Sequence, residues 1–225
     1  MRNDAMDQAH TYRPIPSNLG KEITMKSLFC FLIVAVVLPL SAQERTLFDI
    51  EHIEHGGYGA FVTKVTTING EGAVLMGGRG GWIINHVFAI GGGGYGLVNN
   101  IHSKNIGPWG ERFVSLGYGG LDLEAIVNSD DIVHFSVHTL IGAGGVGFRN
   151  DWIDGWNNNY NNYDRHTNGF FVAEPGINLD LNITPWFRAS AGASYRYIVG
   201  ATSDASTNAD LSGPSGMLTF RFGKF

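Results

Sequence analysis

The chain has little charge, almost no cysteine and no apolar run long enough to cross a membrane as a helix. Charged residues make up 16% of its 225 residues, against roughly 25% in ordinary soluble domains. Lys and Arg together number 15 and Asp and Glu 20, a net charge of −5. No basic surplus exists to neutralise phosphates, which excludes a strongly basic nucleic-acid binder. Cys30 is the single cysteine, so a disulfide scaffold is excluded as well. The most apolar stretch, Leu28 to Leu40, falls short of the roughly 20 residues that a helical span needs. Glycine is abundant: 32 residues, 31 of them after position 42. With 44% hydrophobic residues, disorder is not expected.

The apolar stretch reads as an export signal. Lys26 precedes it, Pro39 falls near its end, Ser41 and Ala42 follow, and polar Gln43-Glu44-Arg45 comes next. A charged start, a short apolar core and a small residue at the cut define a secretory signal peptide. We assign it to residues 25–42, with cleavage near Ala42. Residues 1–24 are polar and aperiodic, and we read them as a non-native upstream extension, with translation starting at Met25. Cys30 leaves with the signal, so the mature chain lacks cysteine. It carries 11 Lys and Arg against 17 Asp and Glu.

Downstream, apolar residues alternate with polar or small ones in eight blocks: 57–66, 72–82, 87–98, 112–127, 132–148, 169–181, 187–199 and 215–225. Period-two alternation marks strands. Connections 83–86, 128–131 and 182–185 are tight. Of the other four, 67–71, 99–111, 149–168 and 200–214, three are long and polar. If neighbouring strands are antiparallel, tight turns fall at one end and long loops at the other, as in outer-membrane barrels. The expected fold is all-β: an eight-stranded antiparallel up-and-down transmembrane β-barrel over 57–225, with 43–56 a periplasmic lead-in.

Alternation alone does not say which face is wet, because a soluble sandwich alternates too. The signal peptide, the asymmetric polar loops and the aromatics near strand ends (Trp82, Trp186, Phe187, Tyr197) favour apolar side chains facing lipid. The inward set is then Lys64, Arg79, Asp122, Glu124, Glu174, Asp180, Arg188, Arg196 and Arg221, with His134 and His138. Five cations and four anions are nearly balanced, which suggests an interior ion-pair network rather than an ion-selective pore. Two features need explanation. Glycines inside strands, including Gly77, Gly78 and Gly91 to Gly94, let a narrow sheet curve and close; no Lys-Ser/Thr follows Gly91–Gly96, so this is no phosphate loop. Glu174-Pro175-Gly176 predicts a bulge, because proline cannot donate to a ladder, and makes Glu174 a less secure lumen residue than Arg188.

These features, with the segment Met217 to Phe225 and its alternating Leu218, Phe220 and Phe222, resemble the small outer-membrane β-barrel proteins of Gram-negative bacteria, the OmpA/OmpX-like class. The resemblance implies an outer-membrane location, contact with outer-membrane lipid, a monomer, and recognition of the C-terminal strand by the barrel-insertion machinery. The segments Gly77 to Asn85 and Ala193 to Tyr197 look like a subgroup to which no activity attaches. Phe225 lies out of phase with the apolar side, and Gly223 stands where the terminal signal has an aromatic.

Chemistry is sparse. His134, Ser136 and His138 share one face of a strand, but same-face neighbours are about 6.5–7 Å apart, too far for a catalytic relay. His134 and His138 have no spacing that gathers further metal ligands, and no cofactor or metal is expected. The loop containing Trp152, Trp156, Tyr160 and Tyr163 offers rings, amides and acids to a surface glycan or protein. The reading is a structural or surface-interaction barrel, not an enzyme. The alternatives are an outer-leaflet lipid-modifying enzyme, which requires a polar cluster at the outer rim, and a soluble exported barrel binding a small apolar ligand, which requires an apolar interior and Arg188, Arg196 and Arg221 facing water.

Overall fold

A computed structural model describes residues 53–103, 113–149, 168–203 and 206–225. Eight strands, each hydrogen-bonded to the next and the last to the first, close into a barrel. They are β1 (His55–Ile68), β2 (Glu71–Ile84), β3 (Phe88–Leu97), β4 (Phe113–Val127), β5 (Val133–Arg149), β6 (Asn168–Thr184), β7 (Phe187–Val199) and β10 (Gly213–Lys224). Between β7 and β10 lie the two-residue strands β8 (Thr202–Ser203) and β9 (Ser206–Thr207) and a helical turn, α1 (Asn208–Leu211). Every barrel pairing is antiparallel, and the β1–β10 ladder from Gly57↔Lys224 to Thr66↔Ser215 seals the wall. The signal segment, the upstream residues and the aromatic loop with Trp152, Trp156, Tyr160 and Tyr163 lie outside the described residues.

Local chemistry sets the turns. Asn69 (φ 53°) and Gly70 (φ 84°) both occupy the left-handed region, the requirement of a two-residue hairpin turn that matches strand twist. The connection expected over 67–71 therefore shrinks to two residues, and one junction at the loop end is tight. Asn85 (φ 52°) and His86 (φ 58°) turn β2 into β3. Strand β6 runs on to Thr184, so the turn expected at 182–185 sits at Pro185-Trp186. β1 begins two residues earlier than the expected lead-in allows.

The bulge expected at Pro175 is absent. Thr139↔Pro175 and Leu140↔Glu174 keep the register of the β5–β6 ladder, and β6 pairs with β7 in one register on either side, at Ala173↔Tyr197 and Gly176↔Ser194. Proline is accommodated because its missing N–H falls in a local gap of the β6–β7 ladder rather than forcing an extra residue. No face flips, and Glu174 is fully buried inside. The irregularity in β6 lies instead between Asn182 and Thr184, beside the turn.

Candidate functional site

Side chains fill the interior, and they sort into two compartments. At the tight-turn end stands a charged cluster. Arg221 Nη2 is 2.7 Å from Glu124 Oε1 and 3.4 Å from Asp180 Oδ1. Arg79 Nη1 is 3.4 Å from Asp122 Oδ2, and its Nη2 is 3.9 Å from Glu124 Oε1. Glu124 is thus shared by two guanidiniums, and Tyr58 Oη donates to its other oxygen at 3.2 Å. Ser136 donates to Asp180 Oδ2 at 2.6 Å, and Ser190 donates to Asp180 Oδ1. Asn178 Nδ2 lies 3.2 Å from both Ser136 Oγ and His138 Nδ1. Register explains the convergence: Asp122, Glu124, His134, His138, Asp180 and Ser190 all fall on inward positions of adjacent strands, with Glu124 opposite His138 and Asp180 opposite His134 and Ser190.

Higher in the barrel Lys64 Nζ meets Glu174 Oε1 at 2.9 Å and sits 3.4 Å from the ring centroid of Tyr95, a cation–π contact. Glu174 also accepts from Tyr118 Oη at 2.7 Å and Ser194 Oγ at 2.6 Å. Glycine makes room for these rings: a Cβ at Gly144 would stand 2.5 Å from Tyr118 Cβ and 2.6 Å from Phe170 Cζ.

All nine charged residues expected inside are buried there, but two stand outside the ion-pair network. Arg188 and Arg221 are direct cross-strand neighbours. Arg221 takes the carboxylates, whereas Arg188 Nη2 reaches the Ser129 carbonyl at 3.5 Å and its guanidinium carbon lies 4.1 Å from the ring centroid of Phe225. The out-of-phase Phe225 therefore packs against the guanidinium of inward Arg188 at the turn end. Arg196 bonds the Leu211 carbonyl through Nε at 2.8 Å.

Sequence reasoning missed the second compartment. Above the charges lies a dry cluster that includes Leu75, Val114, Ile198, Ile101 and Leu211. Ile101 and Leu211 belong to the connections, not the strands, and both are fully buried. Among the described residues, Ile101 and Leu211 turn inward and plug the loop-side end. Inward Val62, Ile68, Leu75, Val114, Leu116 and Val146 are the legible signal: towards the loop end the buried face takes on apolar residues.

The outer surface is apolar. Phe61, Val65, Leu121, Phe135, Ile141, Ile177, Leu179 and Leu218 are all exposed. Aromatics form two belts. At the turn end Phe187 stacks on Phe222 at 4.9 Å and on Phe220 at 6.3 Å, and Trp186 on Phe222 at 6.2 Å; Trp82 lies at the same end. At the loop end Phe171, Tyr195 and Tyr197 are exposed. Ten residues separate Phe187 from Tyr197, about 33 Å along a strand. At the roughly 40° tilt of small barrels that is about 25 Å of height, the apolar band of a membrane barrel.

At the loop-side rim His102 Nδ1 lies 3.2 Å from both oxygens of Glu71, and Ser206 Oγ donates to Asn69 Oδ1 at 2.8 Å. The serine proton is directed at an amide, which is no base. Among the described residues no group of three or more His, Cys, Asp or Glu is arranged to hold a metal ion.

No protein-family model and no curated protein sequence matches the chain. Among solved structures, the chain is similar to the N-terminal β-barrel domain of OprF from Pseudomonas aeruginosa, with 13% identity and a TM-score of 0.51, covering 76% of this chain and 99% of that one. Looser likenesses are Neisserial surface protein A, with 12% identity and a TM-score of 0.49 over 77% and 99%, and Ail of Yersinia pestis, with 12% identity and a TM-score of 0.47 over 75% and 97%. The OprF likeness shows the fold: a small closed eight-stranded β-barrel.

Proposed function

We propose that the mature chain is a monomeric outer-membrane barrel of structural or surface-interaction type, exported by the segment 25–42 and carrying out no reaction. One observation carries this reading: the distribution of polarity is inverted. Charged Lys64, Arg79, Glu124, Glu174, Asp180, Arg196 and Arg221 are buried, whereas Phe61, Phe135, Phe171 and Leu218 are exposed. In water this arrangement would leave an apolar surface far beyond what soluble monomers tolerate. In lipid the same surface is solvated, and the closed ladder leaves no unpaired backbone edge. The soluble alternative needs Arg188, Arg196 and Arg221 on the surface, and they are inside.

The plug at the loop end and the packed charges below it oppose a conducting role. The connections at 99–111, 149–168 and 200–214 are the surface offered to the exterior, and the aromatic side chains Trp152, Trp156, Tyr160 and Tyr163 are its proposed contact set for a glycan or protein. Phe222 and Leu218, on the outer face of β10, are the side chains proposed to meet the insertion machinery.

The test is fractionation. Native membranes are washed with alkaline carbonate, and heated and unheated samples are compared on a denaturing gel. Retention in washed outer membrane with a heat-dependent change in migration is the expected result. Release into the wash, or recovery of folded protein without detergent, overturns the reading.

A further inference from the structure

The tip of the β1–β2 hairpin is tied to both connections whose side chains plug the loop-side end. Asn69 donates through its backbone N–H to the Asp210 carbonyl at 3.2 Å. Its Nδ2 donates to the His102 carbonyl at 3.1 Å, and its Oδ1 accepts from Ser206 Oγ at 2.8 Å. One side chain thus joins stretches that lie 33 and 137 positions away in sequence. Each stretch carries a plug residue beside its bonded one: Ile68 precedes Asn69, Ile101 precedes His102, and Leu211 follows Asp210. All three are fully buried members of one apolar cluster. Polar tie and apolar contact are therefore one residue apart on every stretch.

Each connection is also fastened to the barrel by itself. Val114 N–H donates to the Ile101 carbonyl at 2.8 Å. Ala201 N–H donates to Asn208 Oδ1 at 2.7 Å. Neither bond involves Asn69, so each amide reports on its own connection. Two segments that bond one residue and bury side chains in one cluster are energetically coupled: release of either uncovers apolar surface of the other and frees part of the shared amide.

We propose that Asn69 is the latch of a single lid: residues 98–103 and 206–212 close over the loop-side end together and open together, rather than as two independent loops. Turn chemistry alone also favours Asn at this left-handed position, so the side-chain bonds, not the backbone conformation, carry the proposal. A partner that engages one connection in its closed form then holds the other closed as well.

The test is amide hydrogen exchange, read residue by residue by NMR on the mature chain refolded in micelles or nanodiscs. Asn69→Gly keeps a residue that accepts the left-handed region and deletes both side-chain bonds. Protection of Val114 and of Ala201 is expected to fall together, by about tenfold or more for two lost hydrogen bonds. Amides in the middle of the β5–β6 ladder should keep theirs, which shows that the barrel is folded. Ser206→Ala removes one bond, on the second connection alone, and leaves the turn intact, which keeps the test valid if Asn69→Gly folds poorly. It should lower protection at Val114 as well as at Ala201. Unchanged protection in Asn69→Gly, or a loss confined to one of the two amides in either variant, would overturn the proposal.

Discussion

Glu174 shows how much one interior side chain can carry. It neutralises Lys64, and its two oxygens accept from three donors. Glu174→Ala leaves a fully buried ammonium without its partner, a change that typically costs about 3–5 kcal/mol. The expected outcome is a lowered urea midpoint for unfolding from lipid vesicles, followed by tryptophan fluorescence. A Lys64→Met, Glu174→Leu double variant should recover much of the loss, because neither charge is then stranded. At the exposed turn end the Glu54 carboxylate lies 2.6 Å from His86 Nε2, and the hydrogen bond and charge of His86 hold its pKa below the ordinary Glu value. A depressed acid contributes stability above its ordinary titration range and loses it as pH falls through the depressed value. The NMR titration of Glu54 should therefore run acid-shifted, and His86→Ala should return it to the ordinary range. At Gly144 a side chain would press on the Gly117 carbonyl and enter the space of Tyr118 and Phe170. Gly144→Val should cost about 1–3 kcal/mol through overpacking, read by the same urea midpoint.

At the scale of the strand, the decisive quantity is which face meets lipid. Leu218 lies midway along β10 and points outward, while Met217 and Thr219 point in. Leu218→Arg should destabilise the folded barrel by about 2–4 kcal/mol if that position lies at the bilayer midplane. The same arginine on a water-exposed strand would change stability by a few tenths, so refolding yield and urea midpoint in vesicles discriminate sharply. Pro175 belongs at this scale too. It reads as a bulge in the sequence, yet both flanking ladders keep their register. A ladder can lose one donor locally when the strands on either side remain paired, and closure of the barrel holds them so.

For the whole molecule, closure and plugging together determine permeability. The loop-side connections bury Ile101 and Leu211 in the apolar cluster, and the charged cluster fills the space below. Planar-bilayer recordings should accordingly show no steady conductance. A Leu211→Asp variant, which drives a carboxylate into the dry cluster, is the substitution expected to loosen the seal, seen as a lowered heat-modifiability midpoint on gels.

The alternation of side chains and the turn residues were enough to determine eight strands, their order and their inward charged set, because period two and antiparallel neighbours leave one way to close. Strand boundaries moved by only a few residues. Sequence could not apportion the charges within that set. Which carboxylate meets which cation depends on shear and tilt, which bring Arg221 to Glu124 across 97 positions of sequence separation and leave Arg196 beside a carbonyl. Nor could it show that the polar connections send Ile101 and Leu211 inward. Such contacts are non-local, and they exist only once the wall has closed around a space that those side chains can fill.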